Sequence, residues 1–325
     1  MTITFDTHTL PYRTDFFVAG ARCFLSTNSH NILRAAAQWR PATKQHGVQS
    51  FGMEVVVESS LDNIPEHGAH FRGTRHLVFA KLAPRSFVTF DLLRRSVYAV
   101  LSNAAAQDCL FWSTRLLPIS IGVLGTTLGV VPLHSACLDR HGNGVLIAGV
   151  SGAGKSTLAT AMAQLGFSLL SDDWTYVSKQ QSTLVAHGLC STLKLLPDAA
   201  SFFPELRRFT PRISLNGELA YEIDPAESMG LTVTGVSWPQ SIFFLERAAA
   251  TGCYLLRCRP QYVREFFEKN AERLPDEIPE AKAFRSSAIG TISALPAWIV
   301  RTGVSPQATA EYLNDFLLEA SRAKA

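Results

Sequence analysis

The chain is predicted to adopt an α/β fold organised around a phosphate-binding loop, and three observations predict it. Gly149-Val150-Ser151-Gly152-Ala153-Gly154-Lys155-Ser156 has the form G-x-x-x-x-G-K-[ST]. The apolar stretch Val145-Leu146-Ile147-Ala148 before it suits a short buried strand. Thr157-Leu158-Ala159-Thr160-Ala161-Met162-Ala163 after it suits a helix. Strand, glycine loop and helix in that order turn the pattern into a nucleotide-binding expectation.

The loop comes first because its physics is the plainest. Glycines let consecutive backbone N–H groups converge on an anion, and the helix N-terminus adds partial positive charge there. Gly149 through Thr157 are therefore expected to bind a nucleoside triphosphate: Gly149, Val150, Ser151, Gly152, Ala153, Gly154, Lys155, Ser156 and Thr157. Lys155 would reach the outer phosphates and the Ser156 hydroxyl would bind Mg²⁺, with ATP the expected nucleotide. Gly166 is a plausible helix stop, Phe167–Leu170 a short strand, and Ser171-Asp172-Asp173 follows at its end. A strand–helix–strand crossover returns parallel to its start. That puts Asp172 and Asp173 beside the loop, 17 and 18 residues after Lys155. Adjacent carboxylates near a triphosphate can hold Mg²⁺ or accept a proton from an attacking hydroxyl, and the residues alone leave both open.

Upstream, Met53–Glu58 and Arg75–Ala80 read as strands and Asp62–Gly68 as a loop. Leu92, Leu93, Val97, Val100 and Leu101 suit an amphipathic helix over Phe90–Gln107, with Asp91 in its first turn. Leu116–Leu133 is nearly charge-free and long enough for a bilayer. Pro118, Gly122, Gly125, Gly129 and Pro132 interrupt it, which favours a buried helix and turn running into the strand before the loop. Downstream, Ser241–Leu245 reads as a strand, Pro296–Val300 as a strand or turn, and Tyr262–Leu274 and Pro306–Arg322 as helices. Ser305 and Pro306 are an N-cap and first-turn pair for the last helix. The expected division is an α+β region over 1–128, of no assigned role, and a nucleotide-binding domain over 129–325.

Composition narrows the function classes. The chain has 325 residues, 47% of them hydrophobic and 18% charged, with a net charge of +3. That balance is too mild to argue for nucleic acid or an anionic membrane as partner. Six scattered cysteines and an N-terminus without a basic or apolar leader segment suggest free thiols in the cytoplasm. Cys253 and Cys258 lack a second pair, so a zinc site is not expected.

His134-Ser135-Ala136-Cys137-Leu138, Gly144-Val145-Leu146-Ile147, the loop and Ser171-Asp172-Asp173 together resemble the kinase domain of the HPr kinase/phosphorylase family. The resemblance is closer to HPr-kinase-related bacterial serine kinases, and it is strong over about Leu133–Val177. It implies a P-loop kinase domain of the HPr kinase and phosphoenolpyruvate carboxykinase type. By that resemblance Asp172 is the general base, Asp173 a metal ligand with Ser156, His134 a neighbour of the pair and Lys155 a phosphate ligand. The two acids can exchange roles. The implied reaction is transfer of the γ-phosphoryl group of ATP to a serine-type hydroxyl on a small protein or peptide. Such relatives are often homo-oligomers, although no assembly signal is readable here.

The chain also departs from that pattern. Thr157 stands where true HPr kinases carry Glu, and their second signature, a glutamate followed by Arg-Gly-Leu-Gly, has no counterpart between Val177 and Pro260. Glu222 is the nearest acid. These departures weigh against HPr itself as acceptor and against phosphorolysis. Arg207, Arg208 and Arg212 form a basic cluster that reads as a solvated loop. A non-catalytic ATP-binding regulator of the same fold is the alternative. The later signatures of a motor or transporter ATPase are absent.

Overall fold

A computed structural model describes residues 9–39, 49–58, 70–83, 86–180, 183–189, 192–214, 217–248, 252–271 and 273–322. The chain forms a mixed α/β structure with several sheets. It divides into two units, Met1–Gly129 with Leu215–Gly217 and Leu274–Lys282, and Val130–Ser214 with Glu218–Arg273 and Ala283–Ala325.

The first unit contains β1 (Tyr12–Val18), β2 (Ala21–Thr27), α1 (His30–Gln38), β3 (Ser50–Glu58), β4 (His70–Thr74), β5 (Leu77–Ala83), β6 (Ser86–Asp91) and β7 (Ser96–Ser102). Its strands form one sheet in the order β1-β2-β3-β7-β6-β5-β4. β3 lies parallel to both β2 and β7, and the remaining pairs are antiparallel.

The helix expected over Phe90–Gln107 is absent. Its place is taken by the end of β6, a turn, β7 and the short helix α2 (Asn103–Gln107). Asp91 closes the turn, its carboxylate accepting from the Leu93 and Arg94 amides at 3.1 and 2.9 Å. Arg95 then adopts φ +54, which breaks any helix there. Val97, Ala99 and Leu101 alternate onto the buried face while Tyr98 points out. β-branched residues favour that pleat, and their spacing fits both periods. Strand β5 starts at Leu77 rather than Arg75 because Arg75, at φ +51, sits in the β4–β5 turn. The Asp62–Gly68 loop lies outside the described residues.

After α2 come α3 (Cys109–Phe111), a π-helical turn (Trp112–Leu116), α4 (Leu117–Leu124) and a 3₁₀ turn (Gly125–Leu128). Leu116, Leu117, Ile121 and Leu124 are buried, as the apolar composition requires. Gly129 ends the segment at φ +73. Among the described residues no helix is long and apolar enough to cross a membrane.

The second unit begins with β8 (Val130–His134), β9 (Ala136–Arg140), β10 (Asn143–Ala148), α5 (Lys155–Gln164), β11 (Ser168–Ser171), β12 (Trp174–Gln180) and β13 (Thr183–His187). It continues with β14 (Leu193–Leu195), β15 (Arg212–Ile213), β16 (Leu219–Ile223), α6 (Pro225–Met229), β17 (Val236–Ser237), β18 (Pro239–Arg247) and β19 (Cys253–Arg257). It ends with α7 (Pro260–Lys269), α8 (Pro279–Ser293) from Ala283 onward, β20 (Ala297–Thr302) and α9 (Pro306–Arg322). The central sheet runs β11-β9-β10-β18-β20-β19, flanked by β17-β13-β12-β8 and β14-β16-β15.

Two points differ from the sequence expectation. The apolar segment ending at Gly129 leads into β8, and both β8 and β9 precede the loop strand β10. Strand β9 also inserts between β10 and β11, antiparallel to each. The crossover through α5 therefore does return the chain parallel to β10, with one strand skipped. Gly166 ends the preceding turn at φ +92.

Strand β10 is buried on both faces, which is why its sequence is uniformly apolar. Val145 and Ile147 join Leu158, Met162, Phe243, Leu245 and Leu313 in one core, under α5 and α9. Leu146 and Ala148 join Ile242, Phe244, Val263, Phe267, Ile289 and Ile292 in the other, under α7 and α8. Helix α7 stops at Lys269 rather than Leu274, and Asn270 ties its last turn through a 2.7 Å bond to the Phe266 carbonyl. Helix α9 starts as its cap pair requires, with Ser305 Oγ accepting from the Ala308 amide at 3.2 Å. Helix α8 carries too weak an amphipathic pattern to be read from sequence.

Candidate active site

The loop leaves the C-terminal end of β10 and enters α5. Gly149, Gly152 and Gly154 have φ of +148, +76 and +99, conformations that L side chains rarely adopt. A Cβ on Gly149 would also lie 2.8 Å from the Leu245 carbonyl of neighbouring β18. The Ala153 amide closes a turn on the Val150 carbonyl at 3.2 Å. Val150, Ser151 and Gly152 form the exposed tip. Gly154 is the N-cap of α5 and supplies no side-chain partner, so no cap side chain bonds the first-turn amides.

Lys155 is buried at the start of α5, its ammonium donating to the Gly149 and Val150 carbonyls at 3.1 and 3.3 Å. Burial lowers its pKa, against the opposing charge of Asp173. Ser156 lies on the next position and donates from Oγ to the backbone carbonyl of Asp172 at 3.3 Å. Thr157 follows it, partly buried on the first turn.

The acid pair stands at the end of β11, on the same sheet edge as the loop. Asp172 is buried, and its Oδ2 accepts the Lys194 amide of β14 at 2.7 Å. Burial, reinforced by the charge of Asp173, pushes its carboxyl up to about 7. Asp173 behaves oppositely. Burial acts to raise it, but hydrogen bonding and charge from His134, with Lys155 and Lys194 behind, hold it below the usual carboxylate value. His134 Nε2 lies 2.9 Å from Asp173 Oδ1. The β8–β12 register sets His134 opposite Trp174, on whose ring it stacks at 5.4 Å and 23°.

Below the pair, Ser171 Oγ and Thr175 Oγ1 are 2.6 Å apart, and Thr175 donates to the Ser135 carbonyl at 2.8 Å. These bonds pin the turn holding the acids to the segment holding His134.

The structure therefore brings Lys155, Ser156, Asp172, Asp173 and His134 to one place. A hard cation suits the donor set: Ser156 Oγ and the ionised Asp173 carboxylate are oxygen ligands. Among the described residues no three His, Cys, Asp or Glu side chains group as a metal site. A Mg²⁺ ion here would thus take its other ligands from phosphate and water, as Mg²⁺ usually does. Outside the site, Glu222 on β16 pairs opposite Lys194, and Arg208 bonds the Ser228 carbonyl and lies over the Phe209 ring.

Two contributors were not read from the sequence. The Lys194 amide comes from a three-residue strand with no distinguishing pattern. Arg247 lies at the C-terminal end of β18, directly beside β10. Its Nε donates to the Ala153 carbonyl at 3.3 Å, and its Nη2 lies 3.3 Å from where a Cβ on Gly154 would sit. Aligning the apolar run Ser241–Leu245 beside β10 would have exposed this position.

Comparison with known proteins yields one family: the HPr Serine kinase C-terminal domain matches residues 129–196. Over those residues the chain is related to the HPr kinase family. Among solved structures it is similar to the Hpr(Ser) kinase/phosphatase from Coxiella burnetii, at 14% identity and a TM-score of 0.34. That likeness covers 59% of this chain and 91% of the other. No curated protein matches the chain.

Proposed function

We propose that this HPr-kinase-related chain is an ATP-dependent kinase that transfers the γ-phosphoryl group to a serine-type hydroxyl of a small protein or peptide. The nucleotide-binding domain would span 129–325, and the role of 1–128 is left unassigned. The observation that carries this reading is the acid pair beside the glycine loop, Asp172 buried on the Lys194 amide and Asp173 bound to His134, an arrangement that pushes Asp172 up to about 7 and holds Asp173 low. Environments that push neighbouring acids apart mark an acid/base assignment. A passive nucleotide sensor needs neither.

In this reading the Gly149–Thr157 loop and Lys155 cradle the phosphates. Asp173, ionised and oriented by His134, and Ser156 would hold Mg²⁺, which supplies charge neutralisation on the phosphates when bound. Asp172 accepts the hydroxyl proton of the acceptor. The acceptor oxygen bonds the γ-phosphorus, the bond to the β–γ bridging oxygen breaks, and its electron pair leaves with ADP. A base with a pKa near the working pH is suited to this step. The Lys194 amide, bonded to one carboxylate oxygen, fixes the orientation of the base.

The test is incubation of the purified protein with labelled ATP, Mg²⁺ and a cell extract. Label on a serine, lost in Asp172→Asn with ATP binding retained, is the expected result. ATP bound without any transfer would instead make the chain a non-catalytic regulator.

A further inference from the structure

We propose that Arg247 binds the terminal phosphoryl group of the nucleotide, giving the site its preference for triphosphate over diphosphate. The inference rests on the kinase reading and adds a residue to it.

The topology supplies the argument. β10 and β18 are parallel neighbours, so their C-terminal ends share one edge, and Ala148 pairs with Phe244. Arg247 lies three residues beyond that pair and its chain folds back over the loop. In the strand order β11-β9-β10-β18 the acid pair flanks the loop on one side and Arg247 flanks it on the other. Among the described residues the bond from Arg247 to the loop is made by Nε, at the Ala153 carbonyl. Its Nη2 lies 3.3 Å from where a Cβ on Gly154, the residue preceding Lys155, would sit.

Among the described residues Arg247 forms no ion pair, whereas its neighbour Glu246 is paired with Arg301 at 3.1 Å. A guanidinium held by one bond over a glycine loop keeps its remaining planar donors for a phosphate, the ligand its fork fits best. Carrying the charge from the same chain would neutralise the outer phosphates without a second protein. Lys155 is partly committed to the loop carbonyls, so a second cation is well placed to distinguish a terminal phosphate.

The experiment is calorimetric titration of the full chain, and of Arg247→Met and Arg247→Lys, with MgATP and MgADP. In Arg247→Met, ATP affinity is expected to fall at least tenfold and ADP affinity less than threefold. Arg247→Lys should lie between wild type and Arg247→Met in the ATP-to-ADP ratio, and it decides the question if the Met variant does not fold. An unchanged ratio, including equal losses for both nucleotides, overturns the proposal, since equal losses mean that Arg247 only props the loop through Ala153. That result leaves the kinase reading standing. A wild-type chain that binds neither nucleotide overturns both.

Discussion

Asp172→Asn separates the stability role of this carboxyl from the proton-accepting role proposed for it. In the folded chain burial and the charge of Asp173 raise Asp172 from 3.8 to about 7, against the opposing hydrogen bond from the Lys194 amide. An acid that binds its proton more tightly when folded stabilises the fold most below its unfolded value. That contribution is lost as pH rises through the folded value, here between about pH 4 and pH 7. The rise spans roughly three decades of proton affinity, and at about 1.36 kcal/mol per decade the loss is about 4 kcal/mol. Asparagine keeps an acceptor for the Lys194 amide and cannot ionise. The variant should therefore match wild type near pH 4 and exceed it by up to about 4 kcal/mol above pH 8. Urea unfolding of both proteins across that range measures the difference directly, and titrating groups not coupled to Asp172 cancel in the comparison. Phosphotransfer by the same variant should fall by about 10²–10⁴-fold. Stability profiles that run parallel across the whole range would refute the argument.

Three further outcomes are expected. Asp173→Asn removes a charge that raises Asp172, so the Asp172 carboxyl should titrate at lower pH, as followed by its ¹³C shift. Gly149→Ala would set a Cβ 2.8 Å from the Leu245 carbonyl at a φ of +148, and calorimetry should show MgATP affinity reduced at least tenfold. Gly188→Ala would set a Cβ 1.8 Å from the Leu170 carbonyl in the strand that carries the acids. It should cost about 3 kcal/mol and lower the melting temperature.

Much of the second unit was legible because its signals are local. Gly149–Ser156 dictates its own backbone, the apolar run Val145–Ala148 can only be a buried strand, and Ser305-Pro306 announces α9. The region around Phe90–Ser102 misled because Leu92, Val97, Val100 and Leu101 satisfy a 3.6-residue period as well as a turn followed by alternation. Asp91 favours a helix start and a turn equally, and the tertiary sheet decided between them. Within the site, His134, Lys155, Ser156 and the acid pair lie near one another in sequence or follow one spacing pattern. Lys194 and Arg247 arrive from strands far along the chain, and the Lys194 contribution is an amide that any residue would supply.

The hairpin joining β9 to β10 has a two-residue turn, His141-Gly142, with both φ positive, at +55 and +83. Because β9 is hydrogen-bonded to β10 on one side and β11 on the other, this turn works as a vernier for chemistry at the opposite end of the strands. Each residue added or removed there would slide one ladder by about 3.4 Å and invert its faces. The offset between the acid pair and the glycine loop is thereby held by a bend that touches neither. Insertions at that remote bend should be tolerated far less than its exposure suggests.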